Sequence, residues 1–348
     1  MGNCQSPGDE AQPQPHTRSP VVHRVQKAAR NSAIRRRSTD PQHQTSAVAQ
    51  QKKPPKALAK QHPFDPTLSF ITKRRYTQHQ INRNTVFSVD ERYYNLKKIG
   101  SGAYGVVCKA VDRITGQKVA IKKVADVFAD LVDAKRILRE IRILIHLGDH
   151  KNVVGLLDVM VGPHTSGRFE DLYLVFGLFD GDLDRAVGLP QLTSGHIQFF
   201  LYQILKGMLF VHSAGIIHRD LKPPNILINA NNDLAICDFG LARGLQIDNQ
   251  DATEYVVTRW YRAPELLCGN SHYTTKIDVW SIGLIFAELL MGKTVLRGQN
   301  YFDQLQKSMA LVGKPSGEGA LDWVESAAAR RVCKVFSSQH QSQRLAWI

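Results

Sequence analysis

The five cysteines of this chain (Cys4, Cys108, Cys237, Cys268, Cys333) include no Cys-x-x-Cys pair. Such wide spacing excludes a disulfide-stapled scaffold and a zinc module, and it fits a reducing compartment. Nowhere does the chain run through the roughly 18 uninterrupted apolar residues that a membrane-spanning helix needs. Aromatic side chains make up 8% of the whole, and none stands before Phe64. Acidic residues are also short: 31 Asp+Glu against 45 Lys+Arg leave a formal net charge of +14. That excess leaves three explanations open, namely a nucleic-acid partner, an anionic membrane surface, or a basic tail on an ordinary enzyme. A wholly disordered chain is excluded, because 43% of the residues are hydrophobic. The length of 348 residues suits one large or two modest domains.

The charge is unevenly placed. Residues 1–92 hold 16 Lys+Arg and 6 Asp+Glu, a net +10, whereas residues 93–348 hold 29 and 25, a net +4. Eight of the 15 prolines lie in the first 63 residues. A segment of this kind buries too little apolar surface to offset its ordering entropy. Residues 1–92 therefore read as a disordered basic arm, and the rest as a nearly balanced globular unit. The arm opens MGNCQS, which fits the Met-Gly-x-x-x-Ser/Thr acceptor for N-myristoylation at Gly2. One such chain binds membranes only marginally. Acylation of Cys4, or the cluster Arg24, Lys27, Arg30, Arg35, Arg36 and Arg37, can supply a second signal, at roughly 1 kcal/mol per charge near an anionic leaflet. Phosphate on Ser38, which follows three arginines, would weaken that attraction. The favoured partner of the positive charge is thus the cytoplasmic face of a membrane, with nuclear entry left open. A nucleic-acid role has no recognition module behind it.

From Tyr93 the pattern changes to short β-branched segments. Gly100, Gly102 and Gly105 form G-x-G-x-x-G within KKIGSGAYGVVCKAVD. Glycines let backbone amides approach phosphate oxygens, but the spacing alone also serves dinucleotide sites. A dinucleotide site needs a helix straight after the glycines. Here Val106, Val107 and Ala110 continue as a strand, and VAIK ends at Lys122. That order fits the kinase set. The run DLVDAKRILREIRILIHLG predicts a helix carrying Glu140 and stopped by Gly148. A second helix is predicted from a Thr193 cap to Gly215. His218-Arg219-Asp220, Lys222 and Asn225 follow in IIHRDLKPPNILI, then Asp238-Phe239-Gly240, then Ala263-Pro264-Glu265. Any one of these pieces occurs by chance, but their order and spacing do not.

Residues 93–315 resemble a eukaryotic protein kinase. The stretch Thr253-Glu254-Tyr255, the run VVTRWYRAPE and the helix DAKRILREI narrow the resemblance to a mitogen-activated protein kinase of the extracellular-signal-regulated type. The resemblance implies an α+β, two-lobed kinase fold, with a small β-rich lobe over 94–178 and a mainly helical lobe over 179–335. Residues 336–348 find no match, and the family's last helices are missing, which implies a large lobe truncated at its C-terminal end. It further implies ATP and Mg2+, with Ile99, Gly100, Ser101, Gly102, Ala103, Tyr104, Gly105, Val106, Val107 and Lys122 around the nucleotide. Phe176 guards the back of the adenine pocket, and Leu178 and Phe179 belong to the hinge. Glu140 partners Lys122, Asp220 accepts the proton of a substrate hydroxyl, Lys222 steadies the transferring group, and Asn225 and Asp238 hold the metal.

An upstream dual-specificity kinase is expected to phosphorylate Thr253 and Tyr255. Arg139, Arg219 and Arg243 would gather the first phosphate, and Arg259 and Arg262 the second. Protein substrates carrying Ser or Thr followed by Pro are expected. Gly177, Pro224 and Arg297 depart from the family's usual acidic residue, serine and proline. Glu265 lacks the arginine it ordinarily pairs with, and the acidic docking patch is missing. A catalytically weak kinase acting as a membrane-tethered interaction module is the competing expectation.

Overall fold

Among the described residues, strand structure begins earlier than charge counting suggests. The computed structural model describes residues 74–102, 105–163, 169–244, 258–313, 315 and 317–339. Strands β1 (Tyr76–Asn82) and β2 (Thr85–Asp90) pair antiparallel, Tyr76 opposite Asp90. The Asn82 side chain accepts the Asn84 backbone N–H at 3.0 Å, the short-range bond that turns the chain here. Phe87 and Val89 are fully buried. They pack with Tyr93, Cys108, Ile121, Tyr173 and Val175 in one cluster, and the Phe87 and Tyr173 rings lie 5.6 Å apart.

This hairpin corrects the expected arm of 1–92, at least from residue 74 onward. Counting charge over 92 residues averaged a structured basic stretch into the arm. Arg74 in fact donates to both carboxylate oxygens of Asp158 at 2.8 Å. Tyr93 Oη donates to the same carboxylate at 3.0 Å. Gly2, Cys4 and Ser38 lie outside the described residues.

The small lobe continues as a five-stranded antiparallel sheet in the order β3-β4-β5-β7-β6. Its strands are β3 (Tyr93–Gly102), β4 (Gly105–Asp112), β5 (Lys118–Val124), β6 (Leu156–Val161) and β7 (Leu172–Gly177). Helix α1 (Leu131–Leu147) crosses beside it. The Asp130 side chain caps α1 by accepting from the amides of Val132 and Asp133, and Gly148 ends it at φ 65°.

The large lobe is built on helix α2 (Ser194–Ser213), opened by a reciprocal box between Thr193 and His196. Gly207 of α2 meets the small-lobe connection so closely that a Cβ there would stand 2.8 Å from the Asn152 carbonyl oxygen. Short strands β8 (Gly181–Asp182), β10 (Ile226–Ile228) and β11 (Leu234–Ile236) form one sheet, and β9 (Ile216–Ile217) pairs with β12 (Arg243–Gly244). Helices α3 (Pro264–Leu267), α4 (Lys276–Met291), α5 (Tyr301–Val312) and α6 (Ala327–Gln339) follow. A single core cluster runs from Val124 and Leu174 through Ile204 and Met208 to Phe239 and Ile285, so it spans both lobes. Helix α6 continues through residue 335, the expected edge of the domain. Among the described residues no helix is long and apolar enough to cross a membrane.

Because Phe87 is fully buried, Phe87→Ala should destabilise the protein by about 3–5 kcal/mol in denaturant unfolding. A loss under about 1 kcal/mol would show that the hairpin is not part of the cooperative fold.

Candidate active site

The glycine-rich turn joins β3 to β4, with Gly100 opposite Val107 and Gly102 opposite Gly105. A Cβ added at Gly100 or Gly102 would meet nothing within 4 Å, so their backbone borders open space. Gly105 is different. Its φ is 130°, and a Cβ would stand 1.9 Å from the Lys123 carbonyl oxygen. Only glycine lets the turn settle this closely on β5. Ala103 and Tyr104 lie outside the described residues, while Ile99 is exposed at the mouth and Val106 and Val107 are half-buried.

Lys122 on β5 stands opposite Val107 and Leu174. Its Nζ donates to Glu140 of α1 at 2.9 and 3.3 Å. Glu140 is 4% exposed. Burial pushes the Lys122 ammonium down, but Glu140 and Asp238 outweigh it and hold the group above its ordinary value. The preceding residue on α1, Arg139, donates from Nη1 to the Gly240 carbonyl at 3.0 Å. Two adjacent residues thus tie α1 to β5 and to the turn after Asp238.

The catalytic-loop candidates hang on one buried carboxylate, Asp278 of α4, which is 0% exposed. It accepts the His218 N–H at 2.8 Å and the Arg219 N–H at 2.9 Å. The His212 ring is a third partner at 2.8 Å. These bonds hold Arg219 in the left-handed region at φ 70°, which costs a non-glycine residue strain. Beyond the bend, Lys222 Nζ lies 2.7 Å from Asp220 Oδ2. Asn225 Nδ2 donates to the Asp220 carbonyl at 2.9 Å and to Oδ2 at 3.1 Å. Burial pushes the Asp220 carboxyl above the usual carboxylate range, and Lys222 acts against that rise.

Asp238 also takes a left-handed φ, 65°, with no side-chain capping bond. The carboxylate of Asp238 and the amide oxygen of Asn225 are hard oxygen donors. Among the described residues no group of three or more His, Cys, Asp or Glu could hold a metal. The Asp238 carboxylate acts on the Lys122 ammonium, Asn225 is bonded to Asp220, and a carboxylate with an amide oxygen is a donor set that suits a Mg2+ ion taking its other ligands from phosphate and water. The residues present therefore fit a magnesium nucleotide.

At the hinge, Phe176 pairs with Ala120 and Leu156, and Gly177 pairs with Val119. Gly177 is therefore held in the ladder. Leu178 and Phe179 follow, both half-buried. Burial pushes the Cys237 thiol far up, as for an inert packed thiol.

The five arginines form two groups. Arg139, Arg219 and Arg243 converge on the carbonyls of residues 240–242: Arg139 on Gly240, Arg219 on Leu241 at 3.2 Å and Arg243 on Ala242 at 3.1 Å. Arg262 donates to Tyr301 Oη at 2.6 Å, and Arg259 to the Gln299 carbonyl at 2.6 Å. Among the described residues, the buried Nε atoms of Arg219 and Arg259 meet no hydrogen-bond partner. Thr253 and Tyr255 lie outside the described residues. Glu265 is half-buried rather than buried, so the cost expected for a buried, unpaired carboxylate at this position does not apply in full. Sequence reasoning assigned no role to Asp278 or Tyr301. The only signal for Asp278 was a carboxylate inside the mostly apolar run IDVWSIGLIFAELL, which also holds Ser281 and Glu288.

A two-lobed fold with a lysine–glutamate pair above and an aspartate–lysine–asparagine cluster below defines a protein kinase. A family model described as "Protein kinase domain" matches residues 93–347. The expected unmatched tail is thereby corrected, since the match runs past 335 to 347. The chain is 49% identical over 263 residues to "Mitogen-activated protein kinase 4" of Oryza sativa subsp. japonica, covering 75% of this chain and 69% of that protein. It is 50% identical over 251 residues to "Mitogen-activated protein kinase 3" of the same plant, covering 72% and 67%. It is 49% identical over 251 residues to "Mitogen-activated protein kinase 7" of Arabidopsis thaliana, again covering 72% and 67%. The chain belongs to the mitogen-activated protein kinase family, and is a serine/threonine protein kinase.

The burial of Asp220 predicts a carboxyl that titrates above the ordinary range. Lys222→Met removes the opposing cation and should move the titration further up, read by carboxyl 13C NMR against pH. An unmoved or downward-shifted titration would overturn this account of the pair.

Proposed function

We propose that this kinase transfers the γ-phosphoryl group of ATP to Ser or Thr hydroxyls of protein substrates, preferring sites followed by Pro. The observation that carries the reading is the simultaneous closure of two clusters: Lys122 on Glu140 at 2.9 Å, and Lys222 on Asp220 at 2.7 Å. Magnesium supplies neutralisation of the charge that develops on the phosphate oxygens. Lys122 binds phosphate, positioned by Glu140, and the turn from Gly100 to Gly105 covers it. Asp238 and Asn225 would hold the metal. Asp220 orients the substrate hydroxyl and accepts its proton as the new oxygen–phosphorus bond forms and the bond to the β-phosphate oxygen breaks. Lys222 steadies the transferring group. A carboxyl whose proton affinity is raised by burial is the better acceptor for this step.

Activation by dual phosphorylation of Thr253 and Tyr255 belongs to the same reading. Its support is the pair of buried Nε donors on Arg219 and Arg259, one in each arginine group, that meet no partner among the described residues. A phosphate brings strong acceptor oxygens that such donors can meet. The test is ATP turnover with a Ser/Thr-Pro peptide after treatment with an active upstream dual-specificity kinase. Intact mass should rise by two phosphates on Thr253 and Tyr255, and Lys122→Met should lower turnover about 10²–10³-fold. Equal turnover in both proteins would favour a non-catalytic interaction module, and no phosphate at those residues would remove the switch.

We further propose that the protein resides in the cytoplasm, attached by acylated Gly2 and Cys4 and the basic cluster to an anionic membrane face. Support comes from MGNCQS and the six basic residues between Arg24 and Arg37. Gly2→Ala should shift the protein from the membrane pellet to the supernatant on cell fractionation. An unchanged distribution would rule the anchor out.

A further inference from the structure

Strand β5 carries two consecutive lysines, and the alternation of a strand sends them to opposite faces. Lys122 reaches Glu140 on the cleft side. Lys123 reaches the face on which the hairpin β1–β2 packs. Its Nζ donates to the Val86 carbonyl of β2 at 2.9 Å and lies 2.6 Å from Asp171 Oδ2. The Tyr173 ring centroid is 5.8 Å from the same Nζ. The Tyr173 hydroxyl accepts the Ser88 N–H at 3.0 Å and donates to Asp171 Oδ2 at 3.4 Å. The Lys123 side chain is only 14% exposed, so these groups, rather than water, hold its charge. Ammonium, carboxylate and phenol thus close one circuit that joins β2, β5 and β7.

The backbone of the same residue supports the glycine-rich turn. Gly105 sits on the Lys123 carbonyl so closely that only glycine fits, and Val106 stands opposite Lys123 in the ladder. Lys123 therefore has the hairpin on its side chain and the phosphate-covering turn on its main chain. A shift of the side chain moves the carbonyl on which the turn rests, because both hang on one Cα.

We propose that Lys123 is a positioning residue for the nucleotide: held by Val86 of the hairpin and by Asp171, it seats the Gly100–Gly105 turn over the phosphates, so that the hairpin sets the affinity for ATP. The inference rests on the reading that ATP binds beneath that turn. The Lys123 side chain lies on the face away from Lys122, so its effect reaches ATP only through the turn. The Asp220 cluster belongs to the other lobe, and the effect does not extend to it.

The test measures initial rates of the full chain with Mg-ATP and a Ser/Thr-Pro peptide, after treatment with an active upstream dual-specificity kinase. Lys123→Met keeps the length of the stem and removes the ammonium. The KM for ATP should rise about fivefold or more, the usual size of a coupling between two sites. The kcat and the KM for the peptide should stay. A variant that merely folds less well would lower kcat and leave both KM values, since fewer molecules act. Lys123→Arg keeps a cation that can meet Val86 and Asp171, and it should recover most of the ATP affinity. An ATP KM within about twofold of the native value, an equal rise in both KM values, or a fall in kcat alone would overturn the proposal and leave the kinase reading intact. A native protein that neither binds nor turns over Mg-ATP would overturn both together. Should Lys123→Met not fold, or the native protein bind ATP without turnover, amide exchange of the native protein decides. Coupling is reciprocal, so Mg-ADP should slow exchange of the Ser88 amide in the hairpin as well as of the turn. Unchanged exchange at Ser88 would mean that the hairpin does not report to the nucleotide.

Discussion

The site depends on a carboxylate taken out of water. Asp278 has no exposure to solvent and carries hydrogen bonds from two consecutive backbone amides and an imidazole. A buried charge is unfavourable unless such bonds replace its hydration. Their replacement here has a structural return, because the two amides belong to His218 and Arg219. Gripping both bends the chain into a conformation that an arginine otherwise avoids. Asp220, Lys222 and Asn225 then project from the far side of a bend that helix α4 holds rigid. The His218 ring closes the arrangement by meeting the Cys237 carbonyl at 3.0 Å and packing edge-on to Phe239. The loop that carries Asp220 and the segment that carries Asp238 are thus registered against each other through one side chain.

Helix α1 performs the matching task for the small lobe. Glu140 faces β5 and Arg139 faces the turn at Gly240, so the helix cannot rotate to satisfy one partner without disturbing the other. The arginines that converge on residues 240–242 extend the same logic downward. Carbonyls occupy them in this state, and those are weaker acceptors than phosphate oxygens. Helix α1 and residues 240–242 are linked through the same set of guanidinium donors.

Much of this could be read from residues in sequence. Motifs whose members lie within a few residues of each other, such as His218 to Asn225 or Gly100 to Gly105, announce their geometry because the chain itself fixes the spacing. Helices α1 and α2 were legible for the same reason: Gly148 and Thr193 are local signals at their ends. The hairpin at 76–90 was not. Its apolar residues are few, its neighbours are basic, and it is tied by Ser88 to Tyr173 and, through Arg74 just before it, to Asp158, both more than sixty residues later in the chain. Asp278 was hidden differently, since a carboxylate in the first turn of a helix ordinarily reads as a solvated cap. The grouping of Arg259 and Arg262 around Tyr301 depends on segments about forty residues apart, and no periodicity reports such a meeting.

The ion pair between Arg74 and Asp158 also decides where mechanical load enters the molecule. Any force carried along the preceding residues reaches a bidentate contact on β6 rather than a loose end. It passes into the sheet that holds Lys122 and not into the helices that hold Asp220. A pull from the N-terminal side therefore acts on the lobe of Lys122 first, and the lobe of Asp220 follows only through the core they share.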